Sequence, residues 1–330
     1  MELSSEHSIA PSGASSITPS LSLFEAAKRG DLEAVRFHLK NPALNSEKGD
    51  SVNDGEDDHE WSPFFVAARM GHFEVVRLLL SDPRVDPNAA TSDGCTPLQV
   101  AAHNGYSAIV DLLLADPRTN VNAVDYEHTT ALFIAAQEGY TRIVRALLKD
   151  PRLEVNTAWD LATRDGNQTA LYIAADNGHE TVVRLLAEDP RTDVNLANRH
   201  GHTPLHMAVF NGYTDVVAAL LTCPRININA ADLNGMTPLH RASEHGRIGV
   251  MRLLLADPRV NVNAITLLNW TPLYVAAGNC HIEATRVLLA DARVDTTIRT
   301  APASGSLTPF DVVSKHGDAE LIGLFAGRET

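Results

Sequence analysis

Cysteine is scarce in this chain of 330 residues: Cys95, Cys223 and Cys280 stand far from one another, and no CxxC pair occurs. That spacing argues against a thiolate zinc site and a disulfide framework, and suits a reducing compartment, the cytoplasm or the nucleus. Positive charge is also short. The 27 Lys and Arg stand against 41 Asp and Glu, for a net charge of −14. Nucleic-acid binding leaves a basic footprint, so DNA and RNA are not expected partners. No apolar run approaches the roughly 20 residues that span a bilayer, so no membrane association is expected. Residues 1–20 hold seven serines and two prolines but no Lys, Arg or apolar core. They read as a disordered Ser-rich tail rather than a signal peptide, with a second short tail at 327–330. Without an export signal, the N-x-T sequons at Asn167 and Asn269 read as coincidence. The signatures of catalysis are missing too: there is no HExxH, Walker loop, GxSxG or post-strand GxGxxG. Neither a cofactor nor a metal is expected.

What the chain does contain is repetition. "LLLADPRTNVNA" (112–123) and "LLLADPRVNVNA" (253–264) agree at eleven of twelve positions. A second phrase opens each copy: "TPLQVAAHNG" at Thr96, "TPLHMAVFNG" at Thr203, "TPLHRASEHG" at Thr237 and "TPLYVAAGNC" at Thr271. Variants begin at Ser62, Thr130 and Thr169, and weaker copies at Leu21 and Thr308. From Ser62 to Thr271 the starts are evenly spaced, except for one longer step between Thr130 and Thr169. Nine units result, starting near 21, 62, 96, 130, 169, 203, 237, 271 and 308, so that 21–326 is one repeat array.

Each unit reads as two helices and a hairpin. In the unit from Thr96, the threonine caps a helix whose first residue, Pro97, lacks an N–H that had no partner there anyway. Leu98, Ala101 and Ala102 share a face, and Gly105 ends the helix with positive φ. Ile109, Val110 and Leu112–Leu114 belong to the second helix, and Asp116–Pro117 stops it. Alanine pairs let first helices of neighbouring units approach closely, burying a core that no unit has alone. The repeated twelve-residue phrase is therefore structural: its leucines are core, Asp-Pro is a terminator, and Val-Asn begins the hairpin.

The pattern G-x-TPLHxAAxxGxxxVVxLLL…VN resembles the ankyrin repeat. The resemblance implies an all-α repeat solenoid of about nine helix-turn-helix units joined by β-hairpin loops, whose first helices and hairpin tips line a concave, protein-binding face. It carries no catalytic residues. Several features depart from the pattern. Cys280 stands at the turn-glycine position, where Asn279 is expected to take part of the strain, and His128 replaces the hairpin glycine. A lengthened hairpin spans 157–168. An acidic insertion at 47–60 holds seven acidic residues and one lysine. It invites a calcium-loop reading, but Val52 and Trp61 occupy two positions where ligands are required. His206 and His240 of the "TPLH" phrase are expected to hydrogen-bond hairpin backbone.

Variation at otherwise exposed repeat positions is where a partner would be read. The candidate partner-binding residues are Trp61, Arg69, Met70, His103, Gln137, Trp159, His202, Phe210, Met236, His245 and Trp270, with Trp270, Phe210, His202 and Met236 near the centre and the Trp159 finger at one end. The expectation is a monomeric, non-enzymatic scaffold or adaptor whose protein partner has a neutral or basic face, given the net negative charge. The alternative is a targeting subunit of an enzyme complex (a ubiquitin ligase or kinase), or a hydroxylase substrate; the family resemblance would place hydroxylation at Asn122, Asn195, Asn229 or Asn263.

Overall fold

The computed structural model describes residues 21–42, 52–53, 61–159 and 166–326. The Ser-rich tail, residues 327–330, the acidic stretch apart from Val52 and Asn53, and residues 160–165 of the lengthened hairpin lie outside the described residues. The chain divides into two compact units, 1–86 and 87–330. The first holds α1 (Leu23–Arg29), α2 (Leu32–Lys40), α3 (Pro63–Met70) and α4 (Phe73–Leu80), two helical pairs in which α1 packs on α3 and α2 on α4.

The second compact unit holds seven pairs. They are α5 (Pro97–His103) with α6 (Ser107–Ala115), α7 (Ala131–Gln137) with α8 (Thr141–Leu148), α9 (Ala170–Asp176) with α10 (Glu180–Glu188), and α11 (Pro204–Asn211) with α12 (Thr214–Leu221). There follow α13 (Pro238–Glu244) with α14 (Ile248–Ala256), α15 (Pro272–Gly278) with α16 (Ile282–Leu289), and α17 (Pro309–His316) with α18 (Ala319–Ala326). First helices pack on first helices and second on second, from each pair to the next, so the fold is an all-α repeat solenoid. The connections are turns. Among the described residues no strand forms, and the single β-bridge joins Trp159 to Gln168.

The first helices start as the sequence dictates. Ser22, Ser62, Thr96, Thr130, Thr169, Thr203, Thr271 and Thr308 each accept the N–H three residues on, and proline follows the cap in α3, α5, α11, α13, α15 and α17. The alanine pairs 67/68, 101/102, 135/136, 174/175 and 276/277 are all 0% exposed, which is the close helix contact that small side chains allow. In α5, Gln99 closes a capping box: its Oε1 accepts from Thr96 N (2.8 Å) while its Nε2 donates to Thr129 O (2.7 Å). His206 and His240 make the same two contacts. Nδ1 accepts from the threonine N–H (3.2 and 3.1 Å), and Nε2 donates to Met236 O (3.1 Å) and Trp270 O (2.8 Å) in the following turn. Burial lowers both to a pKa of about 4, so both rings are neutral at pH 7.

The repeated phrase has a second, polar job. The Asp of Asp-Pro-Arg, or of the Asp-Ala-Arg that replaces it at 291–293, accepts the Arg backbone N–H and its guanidinium, with Asp–Arg contacts of 2.6–2.8 Å in six copies. The arginine holds Asp82, Asp116, Asp150, Asp189 and Asp257 below the usual carboxyl range, although partial burial works the other way. The oriented guanidinium then donates to a carbonyl at the end of the previous second helix. Arg152 reaches Leu114 O, Arg191 Leu148 O, Arg259 Leu221 O and Arg293 Leu255 O. Cations suit helix C-termini, so each of these arginines caps the second helix of the unit before its own. Where Cys223 replaces the aspartate, Arg225 instead serves the carbonyls of Ala187, Asp189, Pro190 and Thr192.

The last asparagine of the phrase binds forward. Asn122 Nδ2 donates to Arg152 O (2.8 Å) and its Oδ1 accepts from Glu154 N (2.9 Å). Asn88, Asn156, Asn195, Asn229 and Asn263 repeat this pair of bonds on the next unit. The first compact unit shows it as well. Asn53 donates to Arg84 O and accepts from Asp86 N, and Val52 is 8% exposed. Val52 and Asn53 therefore belong to the repeat and not to the acidic insertion that surrounds them.

Turn glycines are needed twice over. At Gly139, φ is +73°, and an added Cβ would lie 2.7 Å from the ring of His179, which reaches over from the next unit to bond Gln137 O. At Cys280 the residue after the next turn glycine is Asp318, whose carboxylate caps α18, so the ring that meets the side chain comes from another position, with His316 Nδ1 3.5 Å from Sγ. Space therefore exists for a side chain, but the backbone strain is not relieved. Cys280 itself has φ +57°, whereas Asn279 sits at −90°, so the expectation that Asn279 would share the left-handed turn is corrected. His128, Asn167, Asn269 and Ser306 take positive φ at the hairpin glycine position.

Candidate protein-binding face

Side chains near the C-terminal ends of six first helices stand in one register: Arg69 in the first compact unit, then His103, Gln137, Asp176, Phe210 and Glu244 in the second. In the first compact unit, Trp61 is half-buried. Its ring lies 5.7 Å from Phe65, and the Arg69 guanidinium covers it at 4.5 Å. Met70 beside them is 42% exposed. In the second compact unit, His103 and Gln137 are exposed. Trp159 stacks on Phe133 (6.0 Å, 29° between planes), and its buried Nε1 has no hydrogen-bond partner among the described residues.

Of the four residues expected at the centre, two share a site. His202 and Phe210 line a cleft of about 240 Å³ together with Gln168, Tyr172, Asp176 and Arg241. Phe210 is 42% exposed, propped edge-on against His245 (4.8 Å, 86°), and its carbonyl accepts from Arg247. Met236 is 9% exposed and offers its backbone oxygen to His206 rather than a side chain to solvent. Trp270 lies against Tyr274 (5.6 Å, 29°), with its buried Nε1 lacking a partner among the described residues, so its ring is partly spent on its own unit.

Behind the cleft is a charged network that the sequence reading passed over. Asp232, with no side-chain exposure, accepts the N–H groups of Asn234 and Met236 through Oδ1 and the Arg241 guanidinium (2.5 Å) through Oδ2. Arg241 also meets Glu244 (2.9 Å) and His202 Nε2 (3.1 Å). Burial pushes the Asp232 carboxyl up, but the two backbone N–H groups and Arg241 outweigh it, so its pKa is lowered. Burial, then the Arg241 charge, lowers His202; burial lowers His245 against the pull of Glu244. The signal for this network was one residue. Arg241 fills a slot that is Val100, Ile134, Ile173, Met207 and Val275 in the other first helices of this compact unit that precede α17. A charged residue there requires partners, because a largely buried charge left unpaired is strongly destabilising.

No helix among the described residues is long and apolar enough to cross a membrane. The chain matches no curated protein. A family model described as Ankyrin repeats (3 copies) matches residues 83–159, 156–232 and 225–300, and another, Ankyrin repeats (many copies), matches 47–101. With its repeated capped helices, buried alanine pairs and turn glycines, and with most of its length matched in this way, the chain belongs to the ankyrin-repeat family.

Proposed function

We propose that this protein is a monomeric, non-enzymatic adaptor of the cytoplasm or nucleus. Its first-helix face, concave by family resemblance, binds a partner protein around Phe210, His202 and His245. Ankyrin repeats are generally protein–protein interaction modules. Phe210 carries the reading: a large aromatic, 42% exposed, is held upright by His245 and Arg247 at a position where the neighbouring units place Asp176 and Glu244. Exposed aromatics in a polar rim are favoured interface anchors. Met70, Arg69 and Trp61 form a secondary contact area in the first compact unit, and His103, Gln137, Trp159 and Trp270 flank the centre in the second. Met236 contributes through the turn it buries rather than by contact.

The test is Phe210→Ala in the full chain. Truncating an anchor costs about 2 kcal/mol or more of binding, roughly a thirtyfold loss. Affinity capture followed by mass spectrometry identifies the partner, and titration of that partner against both proteins measures the loss. An unchanged affinity, with an unchanged melting temperature, would remove the face from consideration.

A further inference from the structure

We infer that the cleft beside Phe210 is a receptor for an arginine side chain of the partner, its guanidinium stacking on the Phe210 ring and donating to the Asp176 carboxylate. This rests on the reading of the face as a docking surface and names the chemistry it selects. Three observations carry it. The first is register: Asp176, Phe210 and Glu244 occupy the same helix position in three consecutive units, an aromatic with a carboxylate on either side. The second is which polar atoms are still open. Arg241 is already engaged by Asp232, Glu244 and His202, and Glu244 is engaged by Arg241. Asp176 Oδ1 accepts from Asn211 Nδ2 (2.9 Å), but Oδ2 has no partner among the described residues. The third is charge. Asp176, Asp232 and Glu244 outnumber Arg241 and the Arg247 held on the Phe210 carbonyl, and burial favours the neutral form of His202 and His206. An anionic ligand would meet a net negative site with its one floor cation already satisfied. A guanidinium finds a free carboxylate oxygen beside a flat, exposed ring, which is the geometry that its planar fork fits and an ammonium fits less well.

The probe is the capped tripeptide acetyl-Ser-Arg-Ser-amide, titrated into the full chain and followed by amide NMR shifts, with counterparts carrying citrulline, lysine or glutamate in place of arginine. Saturable shifts are expected at the amides of Tyr172, Asp176, Phe210 and Asn211 with the arginine peptide, weaker ones with lysine, and none with citrulline or glutamate. Asp176→Asn keeps the acceptor for Asn211 yet should weaken arginine binding about tenfold, the usual scale for losing a charged hydrogen-bond partner. No saturable shift, an equal response to citrulline or lysine, or an unchanged titration in Asp176→Asn overturns the assignment. The two readings fail separately. If Phe210→Ala abolishes partner binding while Asp176→Asn changes neither partner nor peptide, the arginine assignment is wrong and the face stands. If the peptide titrates as described but the partner binds Phe210→Ala normally, the cleft stands and the face does not.

Discussion

Replacing Asn229 with alanine removes both bonds that join the sixth unit to the seventh at this edge: Nδ2 to Arg259 O (2.8 Å) and Oδ1 from Asn261 N (2.7 Å). A net hydrogen bond is worth about 0.5–1.5 kcal/mol, so the pair contributes about 1–3 kcal/mol. Both backbone groups lie at an exposed edge where water can replace part of the loss, which favours the lower half of that range. In a solenoid this loss falls on the coupling between neighbours rather than on either unit, so cooperativity should fall with stability. Urea unfolding of the full chain, followed by circular dichroism, reads both as a lower midpoint and a shallower slope. The control is Asn227→Asp, just upstream. Among the described residues the Asn227 side chain accepts just the Asn229 N–H, and aspartate already makes that contact as Asp193 and Asp295. The control should cost within about 0.5 kcal/mol. Equal losses in the two variants, or a silent Asn229→Ala, would refute the forward ladder as the coupling element.

Two further outcomes follow from the turns and caps. Because burial lowers His206 and His240 from 6.5 to about 4, their stabilisation is complete above pH 6.5 and is lost as pH falls toward 4, on the order of 3 kcal/mol for each ring. Replacing both with glutamine, which makes the same two bonds at Gln99 without titrating, should flatten the dependence of the melting temperature between about pH 7 and pH 4.5; an unchanged dependence would show that other groups cause it. Cys280→Gly relieves a left-handed residue at φ +57° and should raise stability by about 0.5–1 kcal/mol in thermal melts, and a loss would mean that the contact of Sγ with His316 Nδ1 (3.5 Å) outweighs the strain.

The helices were legible because their causes are local. A cap, a proline and an apolar period name α5 without reference to anything outside it, and the alanine pairs already implied what they would touch. The histidines of the "TPLH" phrase were also read correctly as hydrogen-bonding the following turn. What stayed hidden was contact across units. Arg152 and Asn122 look like ordinary surface residues until the neighbouring unit is placed beside them. Their near-unvarying recurrence at exposed positions, where packing gives no reason for one side chain over another, was the available signal. Val52 and Asn53 were obscured by the acidic residues around them. The Asp232–Arg241–Glu244 network was invisible as a pattern, because it is built from one substitution in a helix, one turn aspartate and one helix-end glutamate. Trp270 and Met236 show the opposite limit: sequence places them at a turn tip but does not say which way the side chain lies.

The arginine and asparagine ladders also set the grain in which this chain can change length. Each phrase holds its own leucines but lends its polar groups to a neighbour, and the neighbour offers the carbonyl and amide at the matching position of its own phrase. The near-identical phrases at 112–123 and 253–264 sit at the same phase of the repeat, so recombination between their coding segments would excise 123–263 as a block. Asn122 would then meet Arg293 and Asp295, the partners now held by Asn263, and Arg293 would cap Leu114 in place of Leu255. Four units would disappear with both ladders intact at the seam, at the cost of one exposed ion pair, since Asp111 would meet Glu283 in place of Arg142, whereas a cut out of phase with the repeat would strand both ladders.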